Sequence, residues 1–178
     1  MNEYKQRFQT LMEQAAGERK GFQDFMEWMN ESDFYEAPAS TKYHGSIPGG
    51  LLKHSLNVYD RMKTRAAEYV MKGGTPESTV ITPLLHDICK VDTHRKTETG
   101  YEYRNDVLLP IGHGERSVIM IEHHMTLTRE EIVAIRWHMG AYDKAARGGS
   151  RELSEAFRRF PLALMLHLAD MEAMYLDE

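Results

Sequence analysis

A single cysteine, Cys89, in 178 residues rules out an internal disulfide framework and fits a reducing compartment. No apolar run approaches the roughly 20 residues that a helical membrane span requires. Basic charge is not in surplus. Lys and Arg number 22 against 27 Asp and Glu, a formal charge of −5. A broad basic face for duplex nucleic acid or an anionic membrane is therefore not expected. The opening Met1-Asn2-Glu3-Tyr4-Lys5 has neither the basic start nor the apolar stretch of an export leader, so a cytoplasmic protein is expected. Internal repeats, low-complexity tracts and a phosphate-cradling glycine loop are also missing from the sequence. What remains is ordinary globular composition, 42% hydrophobic and 28% charged. The length suits one domain, 1–178, with a core of its own. The 12 methionines suit adaptable core packing better than a redox site.

Helical periodicity dominates the chain. Tyr4, Phe8, Leu11, Met12 and Ala15 predict an amphipathic helix over 3–16, stopped by Gly17. Phe22, Phe25, Met26 and Met29 predict a second over about 20–31. Residues 32–50, rich in Pro, Gly and hydroxyl side chains, read as a loop. Gly49-Gly50 opens a long helix, Leu51 to about Lys72, on which His54, Asn57 and Arg61 share a face. A further helix starts at Thr75-Pro76-Glu77 and is expected to run through His86-Asp87 to about Lys90. Tyr101-Glu102-Tyr103-Arg104 suggests a short hairpin within 92–110. Helices then follow over about 114–125, from the capping box Thr128-Arg129-Glu130-Glu131 to Gly140, over 151–159, and from Pro161 onward. Gly148-Gly149-Ser150 reads as a flexible break. The fold class expected is all-α, a helical bundle with one short β-hairpin.

Leu84-Leu85-His86-Asp87-Ile88-Cys89-Lys90 is the segment that asks for chemistry. A carboxylate beside an imidazole in an apolar run is costly to bury without compensation. A metal ion compensates both residues at once, as their common ligand. A His–Asp hydrogen bond at a helix end would also serve, and for an isolated pair it is the better reading. Four more candidate ligands change the balance: His54, His113, His138 and Asp170, each on or at the end of a different predicted helix. Asp170 lies in the apolar run Leu164-Met165-Leu166-His167-Leu168-Ala169-Asp170. A bundle core is where facing helices can unite such side chains. Cys89 stands alone, so no thiolate is expected in the set. Nitrogen and oxygen ligands of this kind suit Mn, Fe, Co, Ni or Zn without choosing among them.

The order His, His-Asp, His, His, Asp resembles the HD-domain superfamily of metal-dependent phosphohydrolases, and its stand-alone hydrolases in particular. The matching segments are Gly49-Gly50-Leu51-Leu52-Lys53-His54, Leu84-Leu85-His86-Asp87, Gly112-His113-Gly114, Trp137-His138 and Leu166-His167-Leu168-Ala169-Asp170. They span about 47–175, which leaves 1–46 as packing helices and a loop. The resemblance implies a first metal held by His54, His86, Asp87 and Asp170. It implies a second held by His113 and His138, with Asp87 bridging. Cys89 stands where the family often has Gly, and His138 is followed by Met139 where some binuclear members have a second His.

Lys90, one turn after His86, is expected to contact a phosphate. Arg136 and His44 are weighed as substrate contacts, and Lys53 and Arg61 as further cations near a phosphate. His167 is expected to pack behind the ligands. His123 and His124 read as a helix C-terminus. Tyr101, Tyr103 and Trp137 could stack on a base. Glu115, just past His113, is weighed as a proton-transfer partner. The function expected is hydrolysis of a small phosphate ester, a nucleotide or short oligonucleotide, by metal-activated water, with Asp87 and Lys90 as catalytic residues. Two other readings use the same ligands: a di-iron oxygenase, and a binding or regulatory module that retains metal without turnover.

Overall fold

The computed structural model describes residues 2–42, 45–71, 74–104, 106 and 109–178. Its elements follow the hydrophobic periodicity closely. Helix α1 spans Asn2–Ala16 and α2 spans Phe22–Glu31. Helix α3, Gly50–Met71, is the long one, and α4 covers Ser78–Leu85. Strands β1, His94–Thr97, and β2, Gly100–Tyr103, pair antiparallel, with His94 opposite Tyr103 and Thr97 opposite Gly100. Helices α5, His113–Glu122, and α6, Arg129–Trp137, precede a short α7, Lys144–Arg147. Helices α8, Glu152–Arg159, and α9, Pro161–Glu172, complete the set, followed by one π-helical turn, Ala173–Asp177. The fold is all-α with one short β-hairpin. No helix among the described residues is long and apolar enough to cross a membrane.

Two apolar groups form the interior. The first gathers Phe8, Met12, Phe25, Met29, Leu51, Leu52, Leu56, Leu84, Leu85 and Ile135. The second gathers Val58, Met62, Tyr69, Ala134, Leu162, Leu166 and Ala169. Helices α3 and α6 feed both, so they tie the N-terminal helices to α9. Each large side chain removed from water here contributes about 1.5–3 kcal/mol.

The helix expected over about 75–90 is shorter at both ends. Pro76 lies before it, and Pro83 lies inside it. His86 Nδ1 donates to the Pro83 carbonyl at 2.8 Å, the acceptor that the Asp87 N–H would need for the helix to continue. Asp87 leaves helical geometry (φ −105°, ψ 17°), and a single 3₁₀ turn, Ile88–Lys90, follows. The predicted capping box is present, with Thr128 accepting from the Glu131 N–H and Glu131 from the Thr128 N–H. Glu131 does more than cap. Its buried carboxylate takes both Arg19 guanidinium nitrogens, at 2.6 and 2.7 Å, and the Ser78 hydroxyl at 2.7 Å. One close approach matters to the site. A Cβ at Gly114 would overlap the Arg136 carbonyl, so glycine lets the start of α5 meet the end of α6.

Candidate metal centre

Six side chains from five elements converge. His54 comes from the first turns of α3, His86 and Asp87 from the turn after α4, and His113 from the first residue of α5. His138 follows α6, and Asp170 lies on α9. All are buried except His113 and Asp170, which are partly exposed.

Three of the imidazoles are oriented from behind. His86 Nδ1 is held by the Pro83 carbonyl, and His138 Nδ1 by the Ile135 carbonyl at 2.6 Å. His54 Nδ1 lies 3.0 Å from Glu178 Oε1. Carbonyls and carboxylates only accept, so each Nδ1 carries the proton and each Nε2 offers its lone pair inward.

The inward atoms form a compact cage. His54 Nε2 is 3.3 Å from His86 Nε2, 3.2 Å from Asp170 Oδ1 and 3.7 Å from Asp87 Oδ2. His86 Nε2 is 3.4 Å from Asp87 Oδ2 and 3.8 Å from Asp170 Oδ1. Four ligands about 2.0–2.1 Å from one tetrahedral ion stand about 3.3 Å apart, so these edges match its size. Nitrogen and carboxylate oxygen atoms this close need positive charge among them, whether a protonated imidazole or a bound ion. These residues can hold a metal ion. Asp87 Oδ1 faces the other way. It lies 2.6 Å from His113 Nε2 and 3.6 Å from His138 Nε2, an atom with no hydrogen-bond partner.

The electrostatics follow. Burial opposes the Asp87 charge, but Lys90, whose Nζ lies 2.7 Å from Oδ2, and the surrounding imidazoles hold its pKa well below the ordinary value. Burial likewise opposes the Asp170 charge and is outweighed by His54 and His86, so its pKa is also lowered. Burial works against a charged His54, yet Asp170 and Glu178 raise its pKa to about 9. Burial disfavours the Lys90 ammonium too, and contact with Asp87 more than offsets it. For His113 burial wins and the pKa falls.

The cage forms part of the wall of a cavity of about 750 Å³, which Lys90, Tyr103, Met139, Tyr142, His167 and Tyr175 also line. Lys90 is the one lysine or arginine among the described residues that line it. Arg136 is not brought there. Its guanidinium lies 3.9 Å over the Trp137 ring and pairs with Glu115 at 2.6 Å and Asp143 at 2.9 Å. Glu115 is occupied by the same pair. Arg61 pairs with Asp177 at 2.8 Å, and neither it nor Lys53 lines the cavity. His44 falls outside the described residues. His167 packs behind the ligands, its Nδ1 donating to the His138 carbonyl at 2.7 Å. His124 pairs with Asp24 at 2.7 Å and stacks on Trp28.

Two residues here have roles that sequence reasoning missed. Glu178 carries no motif, and only the proximity of the 173–178 segment to α3 brings it behind His54. Cys89, expected to take no part, has Sγ 3.3 and 3.4 Å from the two ring nitrogens of His113. Its neighbours in sequence, Asp87 and Lys90, were the available signal. Comparison with known proteins assigns no family: no family model, no curated protein and no solved structure matches the chain.

Proposed function

We propose that the chain is a metal-dependent phosphohydrolase of the HD type, acting on a nucleotide or short oligonucleotide. The observation that carries this is the cage: two inward Nε2 atoms and two carboxylate oxygens at the mutual separations of one ion's ligands, open to a ligand-sized cavity. His54, His86, Asp87 and Asp170 hold a first divalent ion, of the Mn, Fe, Co, Ni or Zn class. His113 and His138 would hold a second, with Asp87 available to both. Bound there, such ions supply acidified water and positive charge for phosphoryl oxygens.

The chain's own groups do the rest. Lys90 places a fixed ammonium on the cavity wall and offsets negative charge that develops on the phosphoryl group. Asp87 keeps that ammonium charged and in place, with Nζ 2.7 Å from Oδ2. Tyr142 and Tyr175, both exposed and both on the cavity lining, offer ring faces to a base. Reading the same ligands as an oxygenase site leaves the half-buried Lys90 only its ion pair with Asp87, since a neutral substrate needs no cation.

The test is metal analysis of protein purified without added metal, then an anaerobic phosphate-release screen over nucleotides and short oligonucleotides. Bound metal and phosphate release without O₂, both lost in Asp87→Ala, are expected. No release from any phosphate ester by the metal-loaded protein would overturn the proposal. A requirement for O₂ would turn the same ligands to oxygenase chemistry.

A further inference from the structure

Beyond the histidines, the carboxylates and Lys90, the wall of the cavity is mostly apolar and aromatic. Met139 follows His138 directly and Met171 follows Asp170, so two of the ligand positions each bring a methionine to the lining. Met174 and Tyr175 come from the π-helical turn, Tyr142 from the 3₁₀ turn Gly140–Tyr142, and Tyr103 from the end of β2. Gly140, at φ 53°, lets its turn close on the His167 ring, which a Cβ there would overlap. Tyr103, Tyr142 and Tyr175 are 46%, 55% and 66% exposed, so each keeps surface for a ligand. Burial raises the Tyr103 pKa and contact with Tyr142 raises that of Tyr175, so both hydroxyls stay neutral near neutral pH. The carboxylates of Asp87, Asp170 and Glu178 all line the cavity. Against them stands Lys90, the one lysine or arginine among the described residues there, and its Nζ already lies 2.7 Å from Asp87 Oδ2.

We infer that the substrate carries a single phosphoryl group on a neutral, flat organic body: a nucleoside monophosphate rather than a polyphosphate or an oligonucleotide. This rests on the phosphohydrolase reading above and narrows its substrate. The phosphoryl group belongs beside the cage and Lys90. The rest of the lining suits the nucleoside. Tyrosine ring faces stack on a base, and methionine fills gaps against an aromatic edge with a polarisable sulfur. A second phosphoryl group seated in the cavity would meet methionine, neutral tyrosine or the carboxylates of Asp170 and Glu178. Charge moved from water into such surroundings without a partner is costly, and so are like charges set side by side. The volume of about 750 Å³ lies within the range of about 300–1,000 Å³ that sites for one small molecule occupy.

The test compares kcat/KM of the metal-loaded full chain for hydrolysis of the 5′-mono-, di- and triphosphates of adenosine and cytidine, and of the 5′-phosphorylated dinucleotide of each. The expected result is a preference of at least about tenfold for the monophosphate over every other member of its series. Tyr142→Arg then puts a cation on the exposed part of the lining. In that variant, with its fold checked by circular dichroism, the ratio of monophosphate to triphosphate kcat/KM should fall by about threefold or more. Equal or better turnover of a triphosphate or dinucleotide by the wild type, or a ratio unmoved in folded Tyr142→Arg, would overturn the single-phosphoryl inference and leave the phosphohydrolase reading standing. No hydrolysis of these or of any other phosphate ester would sink both.

Discussion

Replacing Glu178 with Ala tests whether the cage is built to hold metal or is merely a polar cluster. Glu178 Oε1 accepts from His54 Nδ1 at 3.0 Å and from Asn57 Nδ2 at 3.0 Å. The carboxylate is 5% exposed and the His54 side chain 1% exposed, so solvent does little to weaken the contact. The substitution removes the acceptor that fixes the His54 ring and makes its Nε2 a better donor to metal. Partners of this kind, one step behind a ligand, are worth about 10–100-fold in metal affinity. That is about 1.4–2.7 kcal/mol, within the roughly 1–3 kcal/mol expected when a buried polar group loses its acceptor. Glu178→Gln keeps an acceptor oxygen without the charge and should fall between wild type and Ala. Asp177→Asn is the control. Its ion pair with Arg61 is about one-third exposed on each side, where solvent screens it. It should leave metal affinity unchanged. Competition for Zn²⁺ against a calibrated chelator measures all five proteins, Asp170→Ala included, on one scale. Glu178→Ala binding zinc within about twofold of wild type, while Asp170→Ala loses it, would refute the role given to Glu178.

Three further outcomes are expected. Asp87→Ala should lose metal while His167→Ala keeps most of it, because His167 lines the cavity but its ring nitrogen is turned to the His138 carbonyl; equal loss in two folded variants, by elemental analysis, would refute that division. Lys90→Ala should lower kcat and leave metal content intact, since the ammonium serves charge on the substrate; unchanged kcat would remove Lys90 from catalysis. Glu131→Gln should destabilise the fold near neutral pH by about 1.5–3 kcal/mol, because charge-assisted bonds to Arg19 and Ser78 are lost. Burial alone would raise the Glu131 pKa, but Arg19, the Thr128 N–H and Ser78 lower it below 4.5. Its contribution is therefore complete above about pH 4.5 and disappears as pH falls through the lowered value. Urea denaturation should show the gap between Glu131→Gln and wild type closing on acidification, and a gap independent of pH would contradict the assignment.

The helices were legible because their apolar spacing is regular. Phe22, Phe25 and Met29 on α2 mark the buried face, and Thr128 with Glu131 marks a helix start by chemistry that acts within four residues. The inward residues of the cage were legible for a related reason. His86, Asp87 and Asp170 interrupt apolar runs, and an interruption that survives in a core needs a partner. What could not be read were contacts that depend on three-dimensional approach. Arg136 has the right charge and lies two residues from His138, yet it lies over Trp137 and faces Glu115 and Asp143. Arg61 shares the His54 face as its spacing requires, but the segment lying over that face brings Asp177 to neutralise it.

The error at the end of α4 is the informative one. Apolar periodicity through Leu84, Leu85 and Ile88 predicts an unbroken helix, yet the backbone leaves helical geometry at Asp87. Across the 3₁₀ turn that follows, Lys90 Nζ lies 2.7 Å from Asp87 Oδ2. The side chain of His86 makes the break by occupying the Pro83 carbonyl, and His138 takes the Ile135 carbonyl in the same i to i−3 manner after α6. One hydrogen bond therefore does two things at each position. It ends the helix, which frees the next residues to turn, and it fixes the proton on Nδ1, which aims the Nε2 lone pair inward. Substituting either histidine removes a donor and a helix stop together. The metal-binding reading and the local fold are thus coupled at these two residues, and a variant that spares the stop, such as Asp170→Asn, separates loss of metal from loss of structure.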